Sequence, residues 1–168
     1  CFHMELGGKD PAVVLEDADL DLAAEKIMSG IISYSGQRCD AIRMVLGVEG
    51  IYDRLKTKLV DRLQEVEPKN PLDDENAVMG PLIDEDSAND VEEAHKDAVE
   101  KGANPLLEFS SDGKYVSPTL LEVDKENLED LDAFKDEIFG PLSLLIKVDD
   151  LEEAIEIEVD AVSDGKDV

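Results

Sequence analysis

Short apolar runs typical of buried strands alternate along this chain with longer segments whose apolar residues recur at helical spacing. Residues 12–15 form the first such run, and four acidic or small residues then precede a helix predicted over 20–34. A second run, 41–48, precedes a helix predicted over 51–66. Strands that alternate with helices pair mainly in parallel, with the helices packed against the sheet. The alternation therefore predicts an α/β fold with a mainly parallel sheet flanked by helices.

The second half of the chain repeats the alternation, with helices predicted at 87–101 and 151–157 and a strand predicted at 142–148. Residues 106–109 and 115–123 are strand-like and flank an Asp-Gly turn, so we expect a hairpin there. The last stretch, 159–168, is polar and has no partner strand, which predicts a frayed tail. We accordingly divide the chain into one lobe, 1–158, and a polar tail, 159–168.

The charge balance excludes two classes of partner. The chain has 43 acidic residues against 16 basic ones, a net charge of -27. Such a surface repels nucleic acid and anionic membranes. The acidic residues are spread over helical segments, as on the solvated faces of a folded protein. This dispersion suggests a halophilic protein from a high-salt cytoplasm, where screening reduces the self-repulsion.

Cysteine content and hydropathy indicate a cytoplasmic location. The two cysteines are Cys1 and Cys39, and neither has a Cys or His partner at a spacing suited to zinc. We therefore predict no disulfide framework and no metal site. No apolar run approaches the length of a membrane span, and no leader peptide is visible. A protein of the reducing cytoplasm is the expectation.

Cys39 is a candidate nucleophile. It follows Arg38 in a glycine-containing loop, and a neighbouring positive charge favours the thiolate, which is the reactive form. The competing interpretation is a small buried hydrophobic residue, the usual role of a lone cysteine. The local sequence alone leaves both interpretations open.

Glu5 is a candidate general base. It precedes Gly7 and Gly8, and glycines give a nearby carboxylate the backbone freedom to approach a water molecule. The alternative is an exposed glutamate near the end of the chain, which residue statistics favour. Glu5 therefore gains weight only from its context.

Three short segments provide that context: E-L-G-G-K-D-P at 5–11, G-Q-R-C at 36–39 and E-I-F-G-P at 137–141. Together they resemble, in order, the glutamate, cysteine and cofactor-side signatures of the aldehyde dehydrogenase superfamily. The candidate base and nucleophile are 34 residues apart, the separation that this family keeps. The resemblance extends from about residue 4 to residue 157, and it implies the fold of an aldehyde dehydrogenase catalytic domain.

The resemblance implies a role for each residue of these signatures. Cys39 attacks the aldehyde carbon, the thiohemiacetal gives a hydride to the cofactor, and Glu5 activates the water that hydrolyses the thioester. The backbone N–H of Cys39 is one implied donor to the oxyanion. Glu137, Phe139 and Gly7 are implied beside the cofactor, which is NADP or NAD. In the family, the glutamate at the position of Glu137 contacts the nicotinamide ribose.

The family also has parts that we expect this chain to lack. Its members place most of their dinucleotide-binding domain before the glutamate signature, and they continue beyond the third signature to an oligomerisation segment. We therefore expect a catalytic lobe that is incomplete at both ends and binds the cofactor weakly by itself. Its expected partners are a small aldehyde and either further copies in a homo-oligomer or a chain that supplies the cofactor domain.

Arg38 is the candidate for substrate binding. The residues around Cys39 are closest to the branch of non-phosphorylating, NADP-dependent glyceraldehyde-3-phosphate dehydrogenases, and in that branch the arginine before the cysteine is implied to help hold the substrate phosphate. The alternative is that Arg38 pairs with a carboxylate such as Asp40 and binds no substrate. Both interpretations stay open.

A second class of function also stays open, that of a truncated, non-catalytic acidic module for interaction or assembly. Apolar surface at the position where a second domain docks would favour such association.

The charge distribution generates one prediction. Raising KCl from low concentration to about 1 M, which shortens the Debye length to about 3 Å, is expected to raise the melting temperature because it screens repulsion among the carboxylates. Circular dichroism measures this temperature. A melting temperature that stays constant or falls with salt contradicts the high-salt habitat.

Overall fold

In a computed structural model, which describes residues 7–163, a mainly parallel sheet forms the centre of the fold. In chain order the strands are β1 (Asp10–Val14), β2 (Ile42–Val48), β3 (Asn104–Pro105), β4 (Ser111–Asp112), β5 (Tyr115–Val116), β6 (Thr119–Val123) and β7 (Leu142–Val148). The sheet has the order β1-β2-β7-β6-β3, and only β3 runs antiparallel to its neighbour. This arrangement confirms the predicted fold class.

Helices cover both faces of the sheet. They are α1 (Leu20–Ile32), α2 (Glu49–Leu63), α3 (Glu85–Glu100), α4 (Asp132–Lys135) and α5 (Leu151–Ser163). The crossover from β1 to β2 contains α1, and the crossover from β6 to β7 contains α4 and moves along the sheet in the opposite direction. Because such crossovers are right-handed, α1 and α4 lie on opposite faces. Helix α2 packs on α1, and α5 packs on α4.

The two central strands, β2 and β7, are mostly apolar because both of their faces are covered. Every residue of β2 after Ile42 is buried, and every residue of β7 except Lys147 is buried. Strands in the middle of a parallel sheet are covered on both faces, so they do not alternate between apolar and polar residues. One residue of β2, Arg43, is charged, and it is 4% exposed.

Acidic side chains cap the amino-terminal ends of α1 and α5, as the sequence suggested. The Asp19 carboxylate accepts hydrogen bonds from the N–H groups of Asp21 and Leu22 at the start of α1. The Asp150 carboxylate accepts from the N–H of Glu153 in the first turn of α5. These caps bind amide groups that have no partner inside the helix.

Two sequence predictions are wrong in detail. The predicted strand over 106–109 is not a strand, and the hairpin around the Asp-Gly turn consists of β4 and β5 with two residues each. The second half of the predicted strand over 115–123 instead forms β6, which pairs in parallel with β7. The larger burial on the central sheet thus takes priority over the local turn signal.

The end of the chain differs from the prediction as well. Helix α5 continues to Ser163, whereas it was predicted to end at residue 157, and Ala161 is fully buried. Residues 159–163 are therefore part of the helix and not a frayed tail, and the small side chain of Ala161 joins the core. The rest of the predicted tail, 164–168, lies outside the described residues. Within the part of the chain that the structure describes, no helix is long and apolar enough to cross a membrane.

The core generates a prediction on stability. Leu55 of α2 is fully buried, whereas Leu72 is 91% exposed in the loop after that helix. Leu55→Ala is expected to lower the free energy of unfolding by about 2–5 kcal/mol, because it removes buried methyl groups and leaves a cavity. Leu72→Ala is the matched control and is expected to change it by less than about 0.5 kcal/mol. Urea unfolding in high salt measures both, and similar losses in the two variants contradict the described core.

Candidate active site

The three sequence signatures meet at one edge of the sheet. Residues 7–9 lead into β1, residues 36–39 lead towards β2, and residues 137–141 lead into β7. Because β1, β2 and β7 are parallel neighbours, the segments that precede them lie side by side. The candidate site is therefore at the amino-terminal edge of the strands, although open α/β sheets commonly bind ligands at the carboxyl edge.

The cysteine loop, residues 34–39, has an unusual backbone. Tyr34, Ser35 and Gly36 all have positive φ angles, at 52°, 59° and 72°. This region costs a residue with a Cβ about 1–2 kcal/mol, so other contacts have to hold the loop. The buried Ser35 hydroxyl donates to the carbonyl of Gly80 at 2.8 Å, and the Gln37 side chain accepts from the N–H of Ile83 at 2.8 Å. The loop is thus fastened to the segment around residues 80–83.

Cys39 ends this loop and is exposed to solvent. Its carbonyl oxygen lies against Gly8, where a Cβ would approach it to 2.6 Å. The first signature therefore passes directly beside the second, and it needs a glycine at this point. The prediction that Cys39 lies at the edge of a loop before a buried strand is confirmed, and the alternative of a buried hydrophobic residue is wrong.

The Glu137 turn, residues 137–141, is the third component. A Cβ at Gly7 would overlap the Glu137 carboxylate, and a Cβ at Gly36 would overlap the Gly140 carbonyl. Glycines in the first two signatures thus allow both to approach the third. Phe139 is 48% exposed on this turn.

Arg43 connects the cysteine loop to the Glu137 turn, and the sequence analysis did not identify it. Its guanidinium donates from Nη1 to the Gly140 carbonyl and from Nη2 to the Gly36 carbonyl, both at 2.6 Å. The Glu137 carboxylate is 3.8 Å from Nη2. Burial lowers the pKa of Arg43, and the charges of Glu137 and Asp10 oppose this shift. The one available sequence signal was a single cation inside an apolar strand.

Arg38 forms the ion pair that the sequence left open as an alternative. Its Nε donates to the Asp40 carboxylate at 2.7 Å, and Nη2 donates to the other oxygen. Hydrogen bonding to Asp40 raises the pKa of Arg38, and hydrogen bonding to Arg38 lowers that of Asp40. The guanidinium carbon is also 5.8 Å from the centre of the Tyr34 ring. Arg38 therefore lies at the surface beside Cys39, with Asp40 as its partner.

Lys9 of the first signature has a structural position. Its ammonium group donates to the carbonyls of Phe134 and Lys135, at 3.0 and 2.7 Å. These contacts bind the start of β1 to the end of α4. Glu5, the candidate base, lies outside the described residues, so its placement stays a prediction.

Few side chains near the cysteine loop could hold a metal ion or a cofactor. Within residues 7–163, no cluster of His, Cys, Asp or Glu side chains is arranged to hold a metal ion. Glu137 and Phe139 are the described residues that offer a carboxylate and an aromatic face beside the cysteine loop, and both side chains are partly exposed. This pair fits a ligand that has both hydroxyl groups and a planar ring.

Comparison with known proteins gives one consistent family. A model of the aldehyde dehydrogenase family matches residues 1–161. The NADP-dependent glyceraldehyde-3-phosphate dehydrogenase of Streptococcus equinus is 44% identical over 154 residues, which are 92% of this chain and 31% of that protein.

Solved structures give the same result. The NADP-dependent glyceraldehyde-3-phosphate dehydrogenase of Bacillus halodurans C-125, complexed with NADP, matches 91% of this chain with a TM-score of 0.82 and 40% identity. Lactaldehyde dehydrogenase from Escherichia coli matches 93% of it with a TM-score of 0.84 and 37% identity. The chain covers 31% and 33% of those two proteins. It thus spans about a third of the length of the relatives that it matches.

The close approach at Gly36 generates a prediction. Gly36→Ala is expected to lower the free energy of unfolding by about 2 kcal/mol or more, because the new Cβ has a positive φ and meets the Gly140 carbonyl. Gly80→Ala is the matched control, since its Cβ finds its nearest atom, in Pro71, only at 3.9 Å. Urea unfolding compares the two variants. Equal tolerance of both substitutions contradicts the contact between the cysteine loop and the Glu137 turn.

Proposed function

This chain belongs to the aldehyde dehydrogenase family, and from that premise we propose that it carries the nucleophile for oxidation of an aldehyde to a carboxylic acid with NAD(P)+. The observation that carries the proposal is the convergence of the three signatures around the exposed thiol of Cys39. Because the chain spans about a third of its relatives, the complete reaction is a proposal for this lobe together with the parts that bind the cofactor.

Cys39 begins the reaction. Its thiolate adds to the aldehyde carbon, the carbonyl π electrons move to oxygen, and the resulting thiohemiacetal remains attached to the loop. The backbone N–H of Cys39 donates to the developing oxyanion. When bound, NAD(P)+ supplies the acceptor for the hydride that leaves the former aldehyde carbon.

Glu5 is the proposed base for the second half of the reaction. The thioester on Cys39 is hydrolysed by a water molecule whose proton passes to the carboxylate of Glu5. Gly8 contacts the Cys39 carbonyl, and Glu5 is three residues upstream of Gly8. The support for Glu5 is its position in the first signature, close in sequence to a residue that contacts Cys39.

Glu137, Phe139 and Gly7 are the proposed cofactor contacts. The Glu137 side chain is partly exposed, and a carboxylate is suited to accept hydrogen bonds from ribose hydroxyls. The exposed Phe139 ring offers an apolar face next to it, and Gly7 leaves the space that this carboxylate occupies. NADP is the favoured cofactor because it is named for relatives such as those from Streptococcus equinus and Bacillus halodurans.

Arg38 is the proposed determinant of substrate charge. A small anionic aldehyde such as glyceraldehyde 3-phosphate would meet the guanidinium beside Cys39. Asp40 already binds Nε and Nη2, so the phosphate has to displace it or bind at Nη1. The pair is solvent-exposed and therefore weak enough to open.

The second proposal is an interaction or assembly module without catalysis. It is favoured by large apolar side chains at the surface, among them Leu72 at 91% and Ile83 at 74% exposure. A homo-oligomer, or a complex with a chain that supplies the cofactor domain, would cover such residues. A high-salt cytoplasm remains the proposed location of either form.

The experiment is to measure NADPH formation from glyceraldehyde 3-phosphate, lactaldehyde and a neutral aldehyde. The chain is assayed alone and mixed with a chain that supplies the cofactor domain of a relative. We expect activity in the mixture, highest with glyceraldehyde 3-phosphate, and a loss of at least about 1,000-fold in Cys39→Ser, because the hydroxyl is a far weaker nucleophile.

Cys1→Ser is the matched control and is expected to retain activity. Activity that survives Cys39→Ser contradicts the mechanism. A mixture that self-associates in sedimentation, forms no NADPH and has an unreactive Cys39 supports the interaction module instead.

A further inference from the structure

Three backbone carbonyl groups converge where the cysteine loop meets the Glu137 turn, and one buried side chain binds all three. The carbonyls of Gly36, Arg38 and Gly140 are all acceptors, so they cannot hydrogen-bond to one another. The Arg43 guanidinium supplies the donors: Nη1 to Gly140 at 2.6 Å, and Nη2 to Gly36 at 2.6 Å and to Arg38 at 3.3 Å. Arg43 therefore holds together two segments that lie about one hundred residues apart.

The contact with the Arg38 carbonyl also fixes the N–H of Cys39, because both belong to one peptide unit. A trans peptide is planar, and its C=O and N–H groups point in opposite directions. The N–H of Ala41 donates to the same carbonyl at 3.2 Å, so two donors hold its orientation. Since this carbonyl points towards the buried guanidinium, the N–H of Cys39 points away from it.

We propose that Arg43 is a positioning residue that orients the Cys39 N–H as an oxyanion donor and holds the cysteine loop against the Glu137 turn. The inference rests on the proposed role of Cys39 as nucleophile. Arg43 is 4% exposed, so it acts through the peptide unit and does not contact the substrate. Its positive charge, polarising the Arg38 carbonyl, also strengthens the N–H at the other end of that peptide as a donor.

An arginine is required by this geometry. Two separate nitrogens of one planar group reach carbonyls on two different segments, whereas lysine has a single nitrogen. The Glu137 carboxylate, 3.8 Å from Nη2, compensates the buried positive charge. A lysine at this position retains the charge and loses the simultaneous contacts.

Two reactions of the Cys39 thiolate separate positioning from simple reactivity. With p-nitrophenyl acetate, sulfur adds to the carbonyl carbon, an oxyanion forms, and p-nitrophenolate leaves with its electron pair. With iodoacetamide, sulfur displaces iodide from a methylene carbon and no oxyanion forms. Both rates are measured in high salt on a Cys1→Ser background, in which Cys39 is the sole thiol.

In Arg43→Lys, the ratio of the acylation rate to the alkylation rate is expected to fall about 10-fold or more. Complete loss of one oxyanion donor lowers a reaction rate by about 100- to 1,000-fold. Alkylation alone is expected to stay within about threefold. Arg62→Lys on α2 is the matched control and leaves the ratio unchanged. A ratio that stays within about twofold in a folded Arg43→Lys overturns the inference and leaves the proposed function intact.

The unsubstituted chain provides a second measurement should Arg43→Lys fail to fold. With cysteine labelled by ¹⁵N, addition of excess propanal forms the thiohemiacetal on Cys39, and its amide proton is expected to shift downfield as it donates to the new oxygen. An adduct that leaves this resonance in place overturns the inference. A Cys39 that reacts with neither the ester nor the aldehyde overturns the proposed function and this role together.

Discussion

Parallel pairing of β1, β2 and β7 is the constraint on which the candidate site depends. Each of the three strands is preceded by one signature, and parallel neighbours bring their amino ends to the same edge. Pairing in the opposite direction would place Cys39 and Glu137 at opposite edges of the sheet. Parallel pairing thus brings the three signatures together through the backbone alone.

Close backbone contact then completes the assembly. Gly8 and Gly36 each stand where a Cβ would meet the main chain of another signature, and Gly7 stands where it would meet the Glu137 side chain. Main chains that approach so closely bring carbonyl groups together without donors, and Arg43 supplies the donors from inside β2. The proposed chemistry at Cys39 therefore depends on a buried residue that does not reach the solvent.

The sequence predicted the long elements well because burial alone determines them. The apolar runs that became β2 and β7 admit few alternatives, and aspartates marked the starts of α1 and α5. Prediction was wrong where a local signal competed with the sheet. The Asp-Gly turn suggested a longer hairpin than the one that β4 and β5 form, and the polar residues after 158 concealed the contribution of Ala161 to the core.

For the site, the sequence identified Cys39, Arg38 and Glu137 from their signatures, and it named Asp40 as an alternative partner of Arg38. It did not identify Arg43, because the three carbonyls that this residue binds come from segments far apart in sequence, and no local pattern reports such a meeting. Whether the fold activates Cys39 is measured by acylation with a limiting amount of p-nitrophenyl acetate, followed by mass spectrometry to locate the acyl groups in the folded and the urea-unfolded chain. We expect acyl groups almost entirely on Cys39 in the folded chain and loss of this preference over Cys1 on unfolding. Equal labelling of the two cysteines in the folded chain, or a preference for Cys39 that persists after unfolding, would contradict this expectation.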